Sequence, residues 1–185
     1  MEQDRDLQLI NSINDGDRSA AADLYHRYIG FLTALCSRYV LDRNDVRDIL
    51  QTSFVKILSS ISRFQYRGPG SLKAWMSRIV VNESLKFLQA SRKSGDFKEE
   101  FMKDSSETGE EPEVDDIPAG ELQRMIRELP DGYRSVFNLY VFEELSHKEI
   151  ASMLGITEST SASQFHRARN MLARKIKEYR NSLNR

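Results

Sequence analysis

At 185 residues, 39% hydrophobic and 30% charged, the chain has the makeup of a soluble globular protein of one domain or two small ones. No apolar run approaches the ~20 residues needed to cross a bilayer. The acidic start "MEQDRDLQLI" lacks the layout of a secretory signal, and the single Cys36 excludes an internal disulfide or a multi-cysteine metal site, so a cytoplasmic protein with no direct membrane insertion is expected.

The net charge of −1 would argue against a nucleic-acid partner if it were evenly spread. It is not. Residues 1–93 hold 14 Lys/Arg and 10 Asp/Glu, residues 94–120 hold 2 and 10, and residues 121–185 hold 11 and 8. Two basic blocks flank an acidic strip.

In chain order, Gly16-Asp17 marks an early break, with Asp17 the expected N-cap of a helix through "RSAAADLYHRYIGFLTALCSRYV". Leu24, Tyr28, Phe31, Leu32 and Leu35 recur there at helical spacing. A second helix is expected over about Asn44–Ser60, with Val46, Ile49, Leu50, Ser53, Phe54, Ile57 and Ile61 on its inward side. "RFQYRGPGS" reads as a loop, because Gly68-Pro69-Gly70 cannot continue a helix, and Ser71 is expected to cap a third helix through about Ser91. The strip "SGDFKEEFMKDSSETGEEPEVDDIPAG" is poor in apolar residues and cannot bury enough surface to offset its chain entropy. It reads as a flexible acidic linker, so the expected domains are 1–93, a linker at 94–118, and 119–185. Sustained period-2 alternation is absent, and the fold class expected is all-α: two small helical domains, the C-terminal one a helix-turn-helix.

That last expectation rests on "ELSHKEIASMLGITESTSASQFHRARNML". Ser146-His147-Lys148-Glu149 has the spacing of a capping box, Gly155 permits a left-handed turn, and Thr157 can cap the next helix. Capped helix, tight Gly turn, second helix is the layout whose second helix enters the major groove. Projected at 100° per residue, Phe165, Ala168, Leu172 and Ile176 fall on one side of that helix. Ser159, Ser163, His166, Arg167, Asn170 and Arg174 fall on the other, and residues 164–180 hold six Lys/Arg against one Glu. Hydroxyl, amide and guanidinium groups on one face suit phosphate contact and base-edge hydrogen bonding. A merely solvated amphipathic helix fits the same pattern.

Two further stretches narrow the choice. "DVRDILQTSFVKIL" (45–58) and "GSLKAWMSRIVVNESLKFLQASRK" (70–93) resemble the second conserved region of extracytoplasmic-function sigma factors. "LPDGYRSVFNLYVFEELSHKEIASMLGITESTSASQFHRAR" (129–169) resembles their fourth. The resemblance implies a factor that binds core RNA polymerase and promoter DNA, needs no cofactor, and is held by an anti-sigma protein, often membrane-anchored. It places the helix at 45–58 on the polymerase, through Asp45, Asp48, Gln51, Thr52 and Val55. The helical projection puts Asp48, Thr52, Val55 and Ser59 outward independently.

The loop and third helix resemble the reader of the −10 element, implying contacts from Arg63, Phe64, Tyr66, Arg67, Trp75, Arg78, Asn82 and Lys86. A duplex base becomes readable in a pocket once unstacked, at a cost of a few kcal/mol. Stacking on aromatics returns ~1–3 kcal/mol per base. Trp75 and Phe64 read either as base platforms or as core. Gln89 and Lys93 extend the same polar arc. In the fourth region the −35 contacts carry over to Ser163, His166 and Arg167, with Ser159, Thr160, Gln164, Asn170 and Arg174 on the same face.

The chain departs from the family pattern in places. Ser161 stands where an apolar β-branched residue is usual, and its hydroxyl is expected to return to the carbonyl one turn back. Ala162 and Gln164 replace frequent cations, which weakens phosphate attraction, and Gln164 offers a bidentate contact to adenine. Thr52 replaces a frequent acid.

No catalytic constellation competes, and no enzyme is expected: His26, His147 and His166 fall on separate helices without metal-ligand spacing, and the carboxylates concentrate in the linker. Two rivals share the helix-turn-helix: a stand-alone DNA-binding regulator with a sensing N-terminal domain, and an adaptor that binds polymerase without reading promoters.

Overall fold

The computed structural model describes residues 4–93 and 116–183; the acidic strip lies outside them through residue 115. The described residues hold eight α-helices and one 3₁₀ turn, with no strand among them. The chain divides into two compact units, Met1–Ala90 and Ser91–Arg185.

The first unit begins with a helix the sequence reading did not delineate, α1 (Arg5–Asn14), capped by the Asp4 carboxylate on the Asp6 amide at 3.0 Å. Asp6 and Ile10 are its buried residues. The Asp6 carboxylate accepts from the Tyr28 hydroxyl at 2.7 Å and pairs with Arg27 at 3.2 Å, which ties α1 to α2 (Arg18–Cys36). Burial, reinforced by that hydrogen bond, pushes the Tyr28 hydroxyl up to about 12. Asp17 caps α2 as expected, accepting from the Ser19 amide at 2.8 Å.

Helix α2 stops four residues short of the expected Val40. The Ser37, Arg38, Tyr39 and Val40 amides take the last carbonyls in a tightened turn, which carries Tyr39 and Val40 into the core. Phe31, expected inward, is partly exposed beneath the Lys73 ammonium, 4.0 Å from its ring.

Helix α3 (Arg43–Ser60) is capped by Asp42, and its expected inward row is buried throughout, from Val46 to Ile57 with Ile61 beyond. A 3₁₀ turn at Ile61–Arg63 leads through the loop to α4 (Ser71–Lys93), whose Leu72, Met76, Val80, Val81, Leu85 and Leu88 are buried. Ser71 opens α4, but its hydroxyl turns back: it accepts from the Arg67 amide at 3.2 Å and donates to the Gly68 carbonyl at 2.7 Å. It holds the loop rather than the helix end.

The second unit comprises α5 (Ala119–Arg127), α6 (Asp131–Val141), α7 (His147–Leu154) and α8 (Glu158–Leu183). Its core joins Ile117, Met125, Ile126 and Leu129 to Ala168, Leu172 and Ile176 of α8. Arg134 is almost wholly buried. It donates to the Arg127 and Leu129 carbonyls at 3.1 and 2.8 Å and pairs with Asp131, closing the α5–α6 turn.

The helix-turn-helix signals are all realised. The Glu149 amide donates to the Ser146 hydroxyl while the Glu149 carboxylate accepts from the Ser146 amide at 2.9 Å. The Thr160 amide donates to the Thr157 hydroxyl at 3.1 Å, capping α8. Gly155 ends α7 in the left-handed region, φ 67°. A Cβ there would meet open space, so the cost of a side chain is backbone strain alone. Gly155→Ala is therefore expected to lower the stability of this unit by ~1–2 kcal/mol in urea unfolding, with the helical circular dichroism of the folded state unchanged.

Candidate nucleic-acid interface

In the first unit the expected −10 side chains sit on the 3₁₀ turn, the loop and α4. The Phe64 and Trp75 rings pack on each other, 4.8 Å between centroids at 32°, and both are half-buried. The pair is wedged at the loop root while keeping part of its surface in water. The Tyr66 hydroxyl donates to the Asp4 carboxylate, so the cap of α1 also tethers the loop. Gly68 and Gly70 at φ 112° and 83° supply the left-handed bends that turn the chain into α4.

Arg63, Arg67, Arg78 and Asn82 are exposed. Lys86 is exposed but engaged, donating to Glu83 at 3.0 Å, and Glu83 accepts from Lys56 as well. Partial burial pushes the Glu83 carboxyl up, yet the hydrogen bonds from the two lysines prevail and hold it below its ordinary range. The side chain of Lys93 lies outside the described residues.

Asp48, Gln51 and Thr52 are exposed on α3 and Asp45 is half-buried. Burial first, then the Asp42 and Asp48 charges, raise the Asp45 carboxyl. Val55 is 69% exposed, and Leu58, three residues on, is exposed beside it. An apolar pair amid polar groups on an outward face suits a protein contact better than a solvated surface. Leu58 was missed by the sequence reading, although its spacing from Val55 signals the shared face.

In the second unit the chemistry divides along α8. Its first half presents Ser159, Ser163 and His166 as exposed, with Thr160, Gln164, Arg167 and Asn170 half-buried. Thr160 and Ser159 share the Thr157 hydroxyl at 2.7 and 2.9 Å, the Ser163 hydroxyl donates to the Thr160 carbonyl at 3.0 Å, and Asn170 lies 3.2 Å from His166 Nε2. Arg167 donates to the Tyr133 hydroxyl at 3.4 Å. Tyr133 therefore orients Arg167 from 34 residues away, a relation no local pattern discloses.

The second half engages two of its four cations with acids elsewhere in the unit. Lys175 donates to Glu128 at 2.6 Å and Arg180 to Asp116 at 2.9 Å, while Arg174 stands 3.9 Å from Glu178. Of the six basic residues counted over 164–180, Lys175 and Arg180 are thus engaged with acids, Arg167 and Arg169 are half-buried, and Arg174 and Lys177 are exposed.

Ser161 is fully buried, and its hydroxyl does not return to a carbonyl as expected. It meets His147 Nδ1 at 3.0 Å. A partner on the facing helix, close enough for a direct bond, displaces the intrahelical one. No cluster of metal-ligating side chains forms among the described residues, and no described helix is long and apolar enough to cross a membrane.

Comparison with known proteins agrees with this division. The family "Sigma-70 region 2" matches residues 24–94 and "Sigma-70, region 4" matches residues 119–172. The "ECF RNA polymerase sigma-E factor" of Haemophilus influenzae is 31% identical over 186 aligned residues, covering 95% of this chain and 97% of that protein. The chain is an extracytoplasmic-function sigma factor.

The Bacillus subtilis "RNA polymerase sigma factor SigV" is 30% identical over 75% of this sigma factor and 80% of its own length. Among solved structures, CnrH in complex with the cytosolic domain of CnrY shares the fold at a TM-score of 0.52 and 21% identity, covering 95% of this chain and 99% of that one. As an alternative sigma factor the protein directs transcription initiation and is not an enzyme; helix α1 lies ahead of the region 2 match.

The Glu128 pairing has a pH signature. Chiefly the Lys175 ammonium, then Arg124, holds the Glu128 carboxyl below its ordinary range. A lowered carboxyl stabilises the fold above its unfolded value, ~4.3, and that contribution fades as pH falls through the lowered one. The stability difference between wild type and Lys175→Met is expected to be constant from about pH 5 to 8 and to shrink below about pH 4, read by thermal unfolding across pH.

Proposed function

We propose that the two units divide promoter recognition between them, with the acidic strip at 94–118 as the tether. In this reading α3 docks on core RNA polymerase through Asp45, Asp48, Gln51, Thr52 and Val55, extended by Leu58. The loop and α4 hold the unstacked −10 strand through Arg63, Arg67, Arg78, Asn82 and Lys86, with Phe64, Tyr66 and Trp75 supplying aromatic surface. Helix α8 enters the −35 major groove with its first turns, through Ser159, Thr160, Ser163, Gln164, His166, Arg167 and Asn170, with Arg174 further along. The protein works in the cytoplasm, where the polymerase is.

The observation that supports this reading most directly is the exposed polar row on the first half of α8, Ser159, Ser163 and His166, with Arg167 beside it on the Tyr133 hydroxyl. A helix needed only for packing has no use for that row. An anti-sigma protein is the further partner proposed, because CnrH was solved with the cytosolic domain of CnrY and a carrier of two basic surfaces needs a cover when idle. The net −8 of residues 94–120 gives the chain a partial cover of its own, by competing with DNA for those surfaces.

Run-off transcription with core polymerase and promoter libraries tests the reading. The wild-type chain is expected to confer start-site choice with preferences at both elements. Arg167→Ala is expected to cost ~1–3 kcal/mol at the −35 element while leaving the −10 preference intact. Val55→Asp is expected to abolish polymerase association in gel filtration with the helical content unchanged. Polymerase binding that confers no start-site choice would remove the proposal.

A further inference from the structure

The inner stripe of α8 contains one polar residue. Ser161, Ala168, Leu172 and Ile176 are its buried side chains, and Ser161 has no exposed surface. A buried hydroxyl with no partner is costly, and this one bonds His147 Nδ1 at 3.0 Å. His147 is the first residue of α7, so the bond joins the opening turns of the two helices of the helix-turn-helix. In the tautomer protonated on Nε2, Nδ1 accepts the Ser161 hydrogen; in the other, Nδ1–H donates to the hydroxyl oxygen, and the two helices are joined either way.

The imidazole is itself held in place. It stacks on Tyr140 of α6, 4.7 Å between centroids at 19°, and stands 5.8 Å from Phe165 of α8. Phe165 packs on Tyr140 at 4.3 Å and on Phe137 at 6.0 Å. Three helices therefore meet at one ring, and its nitrogen points at α8.

We infer that the His147–Ser161 hydrogen bond is a positioning device for the recognition helix: it sets the rotation and depth of the first turns of α8, and through them the base discrimination of Ser163, Gln164, His166 and Arg167. The inference rests on the reading of α8 as the −35 helix. Its physical ground is directionality. An apolar residue at position 161 would hold the helix by packing alone, which is non-directional, whereas a hydrogen bond weakens steeply as its angle opens. Ser161 lies within one turn of Ser163 and Gln164 and shares the first turns with Thr160, so a rotation there is passed directly to the side chains that face the groove. Recognition groups must be held to roughly 0.5 Å and 10–20° to work, and they depend on buried neighbours for that precision. Neither His147 nor Ser161 need touch a base.

Ser161→Thr and Ser161→Val test this, because Thr and Val share size and branching and differ in the hydroxyl alone. Both are assayed in the full chain with core polymerase, by run-off transcription on a promoter panel carrying each −35 base substitution, beside a template already open at −10. Ser161→Thr is expected to keep the wild-type pattern of preferences. Ser161→Val is expected to fold with a thermal midpoint similar to Ser161→Thr, yet to lose roughly fivefold on the best −35 sequence and flatten the penalties for mismatched bases, with the pre-opened template unaffected.

His147→Phe, which keeps a ring over Tyr140 but removes the acceptor, is expected to flatten the same preferences. Equal −35 patterns for the Thr and Val variants overturn the inference. Arg167→Ala separates the two levels: if it lowers −35 use while Thr and Val match, only the positioning role fails; if it has no effect, the assignment of α8 to −35 fails as well.

Discussion

The burial of one stripe on α8 is the constraint from which the second unit follows. Ala168, Leu172 and Ile176 must face Met125, Ile126 and Leu129, and once they do, the side chains along that part of the helix are confined to a narrow range of directions. Lys175 and Arg180 then fall toward the acids of α5 and its approach, and Arg167 falls beside Tyr133. Whether a cation on this helix meets an acid of the fold or faces solvent is decided by apolar packing, not by its own charge. The count of basic residues in the sequence overstates the surface available to a polyanion for that reason.

In the proposed reading the first unit meets a different problem. A strand lifted out of a duplex must be received by groups already in place, and a loop with two left-handed glycines is a poor way to hold anything still. Its anchors come from outside the loop. Trp75 packs Phe64 from α4, Asp4 takes the Tyr66 hydroxyl from the cap of α1, and the Ser71 hydroxyl clasps the backbone at Arg67 and Gly68. Helix α1, which precedes the family match, thus contributes to the framing of the loop. Glu83 plays a comparable part on α4, spacing Lys56 and Lys86 by binding both.

Much of this was legible in the residues. Caps at Asp17, Ser146 and Thr157, the Gly155 turn and the inward row of α3 follow from local chemistry with short range, and each is present as read. What escaped depends on partners distant along the chain. Helix α1 has a single acidic cap and a sparse inner side, and it is held by Tyr28 and Arg27 rather than by its own pattern. The end of α2 moved because Tyr39 and Val40 are better buried from a tight turn than from a helical one. The Ser161 hydroxyl found an imidazole where local rules offered only a carbonyl, since propensity cannot see a facing helix. The candidate DNA-facing residues were identified by projection, but their second neighbours, Tyr133 and Asp4 among them, have no signature in spacing.

Cys36 leaves a quieter mark on how such a factor can be controlled. Its sulfur is wholly enclosed, 3.4 Å from the Ser84 hydroxyl, and burial pushes the thiol up against the smaller opposing effect of that contact. Peroxides and disulfides react with the thiolate, which here is both scarce and walled off. Oxidants dissolved around the folded protein therefore find nothing on this sulfur to modify. If redox stress ever governs when this initiation factor acts, this sulfur is not where the oxidant is sensed.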